Sequence, residues 1–115
     1  MSVDCTFCDI VSGVIPTEHL ASDPFGVVVA DIHPQAPTHL LIIPKLHIRS
    51  LAEVTEAEWP TIGRVLGLAA RAAHACGLDQ SGYRTVINSG LNAGQTVDHL
   101  HIHLLAGRPM LWPPG

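Results

Sequence analysis

Residues 95–105 read QTVDHLHIHLL, which sets His99, His101 and His103 at every second position of an apolar run. In an extended chain successive side chains alternate faces, with about 6.6 Å between residues two apart. The three imidazoles therefore share one face, while Leu100, Ile102 and Leu104 share the other and are expected to face the core. An ordinary outer strand face carries Thr, Lys, Glu and Ser, so a row of histidines asks for a chemical reason. Two chemistries want this arrangement. Neutral imidazole is the commonest metal ligand, and an HxH pair on a strand aims two rings at one point. In phosphate chemistry one imidazole attacks phosphorus while its neighbours hold and protonate the departing group. The preceding loop, NSGLNAGQT (88–96), favours the second, because its small residues let backbone N–H groups approach an anion closely.

Other chemistry-bearing residues lie elsewhere. Cys5-Thr6-Phe7-Cys8 is a CxxC, either a redox pair or half of a four-ligand metal site, without the βαβ context of a thioredoxin-like motif. His39, in APTHLLIIP, is a strand histidine whose own context assigns it no role. Asp31 precedes His33-Pro34, where a carboxylate commonly caps a turn. Trp112 reads as a C-terminal packing anchor. Cys76 falls on an apolar helical stripe and reads as core, and His19, His33 and His74 read as surface or packing residues.

The elements that must position these residues follow from period and punctuation. A short helix is expected at residues 6–12, and FGVVVADI (25–32), THLLIIP (38–44) and YRTVIN (83–88) read as strands beside the histidine strand. His33-Pro34-Gln35-Ala36-Pro37 separates the first two strands. Thr55 and Glu58 form a capping-box signature, and Pro60 predicts that a first turn breaks before the main helix. Ile62, Val65, Leu66, Ala69, Ala72, Ala73 and Cys76 then recur at helical spacing, with Gly77 as the stop. This is an α+β pattern, an antiparallel sheet covered by helices. The 115 residues are expected to form one domain, 1–115. Net charge is −4 and the six Lys and Arg are scattered, which leaves no electrostatic footprint for nucleic acid. No apolar run approaches the ~18 residues of a membrane span. The start MSVDCTFCDI lacks the marks of a signal peptide, and an odd number of cysteines fits a reducing compartment, so the cytoplasm is expected.

HLHIHLL resembles the signature of the histidine-triad (HIT) nucleotide-binding family. CTFCDIVSGVIP, ADIHPQAPTHLLIIPKLHI, YRTVINSGLNAGQTVDHLHIHLLAGR and WPPG are similar to its Hint branch, from Cys5 to Gly115. The resemblance implies a five-stranded antiparallel sheet with one long helix and a short N-terminal helix, continued across a homodimer. It also implies hydrolysis of purine nucleoside phosphoramidates, an adenylated amine giving AMP and the amine, through a nucleotidyl-histidine intermediate. His101 would be the nucleophile, its tautomer set by donation to a backbone carbonyl, expected at His103. His103 would lie against the phosphate oxygens, and His39 would be the supporting fourth histidine. Thr96 stands where the branch commonly has Ser, and its hydroxyl would meet the leaving nitrogen. Asn88, Gly94 and Gln95 would cradle phosphate and the 5′ oxygen. Asp31 would accept from ribose hydroxyls with Ile32 beside the base, and Trp112 would reach the neighbouring subunit's site. Cys5, Cys8, His47 and His99 would hold a structural zinc, with no catalytic cofactor. Asp98 departs from the pattern and has no assigned role.

Three alternatives stand beside this reading. One is a dinucleoside polyphosphate hydrolase or phosphorylase of the same family, against which the short chain and WPPG ending count. The second is a nucleotide-binding regulatory protein with incidental turnover. The third is a metal-dependent hydrolase with the three histidines as ligands.

Overall fold

Branched apolar residues build the middle of the sheet, and helices close over both of its faces. A computed structural model describes residues 5–115, so the first four residues of the expected domain lie outside the described residues. In chain order the elements are α1 (Thr6–Ser12), β1 (Ala21–Ser22), β2 (Gly26–Ala30), β3 (Thr38–Pro44), α2 (Trp59–Ala75), β4 (Arg84–Val86) and β5 (Ile102–Ala106). The strands form one sheet in the order β1-β2-β3-β5-β4, antiparallel throughout. This is the α+β architecture expected from the resemblance.

Period two along the strands sorts side chains onto two buried faces. On one face Val28, Leu40, Ile42, Ile102 and Leu104 pack against Val65, Leu68, Ala69, Ala72 and Ala73 of α2. On the other, Val27, Val29, Leu41 and Ile43 pack against Cys5 and Phe7 around α1. With both faces covered, residues 27–29 of β2 and 40–43 of β3 are buried on either side, which is why they read as unbroken Val, Leu and Ile runs. Gly26 matters to this packing, since a Cβ there would stand 3.0 Å from the Ile43 carbonyl oxygen and 3.3 Å from Leu68.

The long helix begins as its punctuation predicts. The Thr55 N–H donates to Glu58 Oε1 at 2.9 Å, completing the capping box around a single 3₁₀ turn, Glu56–Glu58. Pro60 then sits in the first turn of α2, where its missing N–H costs nothing. Beyond the helix Gly77 takes φ +72°, the left-handed conformation that ends a helix cheaply.

Several expectations shift. Leu66 is 41% exposed and Leu68 only 4%, because the sheet lies towards the Leu68 edge of the apolar stripe. Cys76 points in the stripe's direction but falls past the last helical residue, and it is exposed rather than core. The strands expected at 25–32 and 83–88 contract to β2 and β4. The histidine strand starts only at Ile102, so His99 and His101 belong to a lead-in ahead of the ladder. β1, two residues long, is too short to carry a periodic signal.

Candidate functional site

The histidine row does not face open solvent. His99 is fully buried and His101 is 6% exposed, because α1 lays Phe7 across them. The Phe7 ring meets His101 edge-on at 4.8 Å between centroids and His99 at 6.0 Å. Leu100, Ile102 and Leu104 are buried on the opposite side, as the alternation predicts. His103 pairs with Leu41 in the ladder and His39 with Leu105, which brings these two rings diagonally together between β3 and β5. Burial away from water disfavours imidazolium. It lowers the His101 and His103 pKa values below the ordinary histidine value and brings His99 down to about 4.

Hydrogen bonds then assign the tautomers. His101 Nδ1–H donates to the His99 carbonyl at 2.8 Å, since a carbonyl only accepts, and the Nε2 lone pair is left free. The expected acceptor was the His103 carbonyl; His103 stands in the ladder between Leu41 and Val86, whereas His99 precedes it. His39 Nδ1 accepts the Gln35 backbone N–H at 3.0 Å, which puts the ring proton on Nε2. That N–H faces His103 Nδ1 at 2.9 Å and Asp31 Oδ2 at 3.3 Å. His103 Nδ1 must therefore carry a lone pair, and its proton sits on Nε2.

The remaining predicted positions have separate surroundings. Asp31 Oδ1 accepts the His33 N–H at 2.8 Å, so the carboxylate does cap its turn, while Oδ2 addresses His39. Ile32 is 85% exposed and Trp112 82%, so Trp112 is no packing anchor within the described residues. Gly94 closes the 3₁₀ turn Leu91–Ala93 at φ +81°, a conformation that only glycine adopts without strain. Gln95 builds its loop: Oε1 accepts the Gly90 N–H at 2.9 Å, and Nε2 donates to the Arg49 and Val97 carbonyls at 2.7 and 3.0 Å. Thr96 lines a cavity of about 510 Å³ with Cys5, His47, Arg49 and Asp98. Asn88 lines another of about 700 Å³ with Val86, Leu105, Met110 and Leu111. Asp98 forms a loose surface pair with Arg49 at 3.4 Å. Sequence reasoning missed Phe7, which reads simply as apolar, and Gln35, which acts through its backbone and so leaves no trace in residue type.

Cys5, Cys8, His47 and His99 converge on one point, their ligand atoms all within 4.8 Å of one another. His99 Nδ1 lies 3.4 Å from Cys5 Sγ, 3.5 Å from Cys8 Sγ and 3.1 Å from His47 Nδ1, and Cys8 Sγ lies 3.2 Å from His47 Nδ1. A tetrahedron with metal bonds of about 2.0–2.3 Å has edges of about 3.3–3.8 Å, and these four separations come within about 0.2 Å of that range, so the set could hold a metal of that kind. The His99 ring donates Nε2–H to the Pro44 carbonyl at 2.8 Å, which fixes the ring and leaves Nδ1 as the atom available to a metal. Burial, with Cys5 beside it, pushes the Cys8 thiol up to about 11, so binding must displace that proton. His101 and His103 lie ring to ring at 4.9 Å between centroids, but His99 turns its Nδ1 to the cysteines and His47, and His101 turns its Nδ1 to a carbonyl, so among the described residues the three do not share one ligand point. That divergence removes the arrangement in which all three ligate a single ion.

A model of the HIT domain matches residues 12–110. An uncharacterized HIT-like protein of Synechococcus elongatus is 45% identical over 115 residues, covering 100% of both chains. The purine nucleoside phosphoramidase of Escherichia coli strain K12 is 37% identical over 110 residues, covering 96% of this chain and 92% of that one. Among solved structures, a HIT family hydrolase from Legionella pneumophila superposes with a TM-score of 0.94 at 46% identity, covering 97% of this chain and 100% of that one.

Proposed function

The chain belongs to the HIT domain family, and on that premise we propose that it is a hydrolase of purine nucleoside phosphoramidates, releasing a nucleoside monophosphate such as AMP and an amine. The observation that carries the reading is the His101 Nδ1–H bond to the His99 carbonyl, which leaves one imidazole lone pair uncommitted. Burial keeps that imidazole neutral and therefore nucleophilic. The Escherichia coli relative's activity agrees with it.

His101 Nε2 attacks the α-phosphorus, the P–N bond breaks, and its electron pair leaves with the amine, which takes up a proton. Water then attacks phosphorus, the P–Nε2 bond breaks with its electron pair returning to Nε2, and one water proton is released as the monophosphate forms, balancing the proton the amine took up. His103 donates Nε2–H to a phosphate oxygen, and the Thr96 hydroxyl meets the leaving nitrogen. His39 holds His103, and Asp31 receives the ribose hydroxyls with Ile32 beside the base. Asn88, Gly94 and Gln95 form the loop at the phosphate, Gln95 by shaping it. Cys5, Cys8, His47 and His99 hold a zinc that, when bound, supplies a cross-link among α1, the segment after β3 and the histidine lead-in. We place the protein in the cytoplasm as one domain and as a homodimer, with Trp112 reaching the partner's site.

The test is hydrolysis of an adenylated amine after exhaustive chelation, beside a His101→Ala variant. Turnover that survives chelation and falls by at least about 10⁴-fold in the variant is the expected result. Loss on chelation with the fold intact would transfer the chemistry to a metal, and absence of turnover throughout would leave a binding protein.

A further inference from the structure

We propose that Arg108 and the backbone N–H of Gln35 are positioning groups that lock His39 and His103 in the tautomer presenting an N–H to phosphate. The activity arm rests on the function proposed above; the structural arm does not.

Residues 33–37 join β2 to β3 and stand at the end of the sheet where Thr38 pairs with Ala106. Gln35 is exposed, and its side chain folds back to donate Nε2–H to the His33 carbonyl at 3.0 Å. Its backbone does two other things. The N–H donates inward to His39 Nδ1 at 3.0 Å, and the carbonyl accepts Arg108 Nη2 at 3.0 Å, across 73 residues of chain. A second contact presses the same two segments together. Gly107 takes φ +96°, and a Cβ there would lie 2.7 Å from Pro37 Cβ. The turn after β5 thus grips the loop at Pro37 and at Gln35, while Asp31 Oδ1 ties the loop's beginning through the His33 N–H.

The chemical consequence runs through proton positions. A free imidazole exchanges its proton between two nitrogens of similar basicity. At His39 the proton cannot sit on Nδ1, because two N–H groups would then face each other at 3.0 Å. It sits on Nε2, facing His103 Nδ1 at 2.9 Å, and His103 must in turn keep its proton on Nε2. Releasing the loop removes this constraint and leaves only the His103 and Asp31 acceptors, 2.9 and 3.3 Å from His39 Nε2, to hold the proton there. Arg108 never approaches substrate in this scheme; it acts through Gln35 and His39.

The experiment uses the full chain with Arg108→Ala, Arg108→Lys and Gly107→Ala variants, and reads steady-state hydrolysis of an adenylated amine together with long-range 1H–15N NMR of the imidazole nitrogens. Wild type should show His39 and His103 as pure Nε2–H tautomers. Arg108→Ala and Gly107→Ala should show mixed tautomers at His39, and kcat should fall by roughly 10–100-fold with KM changing much less. Arg108→Lys, which keeps a donor, should recover part of both. An unchanged kcat with unchanged tautomers in Arg108→Ala overturns the proposal, and so does a loss of kcat with tautomers intact. If the wild type fails to hydrolyse the substrate, the functional reading falls, and the ring nitrogens alone still decide whether the clamp exists.

Discussion

His103 shows how burial and a neighbour's lone pair choose a protonation state. Loss of hydration is the largest influence on it, and the rings of His101 and His39 add to the cost of a positive charge. Its pKa is therefore lower folded than unfolded. In the window between the folded value and the ordinary value of 6.5, the unfolded chain binds a proton that the native state refuses. Stability from this group is thus undiminished above 6.5 and declines as pH falls through that window. We expect the His103 Cε1–H resonance to titrate with a midpoint below 6.5; a midpoint at or above it would contradict the buried, neutral assignment. His74 behaves oppositely. Its exposed ring is paired with Asp79, which raises its pKa, and it takes no part in the site.

At the scale of elements, α2 holds the sheet that carries the histidines. Leu68 fills the space above Gly26 and is 4% exposed, whereas Leu66, two residues away, is 41% exposed. Leu68→Ala should cost about 2–5 kcal/mol in urea unfolding through lost burial and the cavity left behind. Leu66→Ala should stay within about 0.5 kcal/mol. The reverse order would mean that the helix is rotated about its axis. The apolar stripe was legible from spacing, but which of its two edges meets the sheet was not, since both carry leucine. Similarly, the alternation around His101 was plain, yet an α1 helix lying over that face left no mark on the alternation itself.

At the scale of the molecule, four ligand atoms bring together α1, His47 after β3 and His99 ahead of β5. Protein purified from zinc-supplied cells should carry one zinc per chain by elemental analysis, and Cys8→Ser should lose it. The same variant should unfold at least about 4 °C lower, the shift that about 1 kcal/mol produces in a domain of this size. An equal Tm with and without metal would deny the cross-link any stabilising role. The other large-scale expectation is the dimer. β4 is a three-residue edge strand, Arg84 Nη2 donates from it to the Leu111 carbonyl at 3.0 Å, and Leu111 and Trp112 are 79% and 82% exposed. Light scattering should return twice 12.3 kDa, and Val86→Pro should return the monomer mass. A monomer at all concentrations for the native chain would remove the dimer, and with it the role given to Trp112.

Local order in the chain determined a good deal of this protein. Alternation placed the histidines opposite Leu100, Ile102 and Leu104, Thr55 and Glu58 marked the start of a helix, and Gly77 marked its end. These are signals between near neighbours, carried by residue type and spacing. Only the tertiary structure decided which groups each of the three rings meets. His99 turns its ring to Cys5, Cys8 and His47, and its carbonyl to His101, because α1 and the segment after β3 close around it. His103 takes its tautomer from His39, which takes its own from a backbone N–H at Gln35. A backbone group has the same chemistry under every side chain but proline, so no reading of residue types finds it; packing alone brings it to the ring.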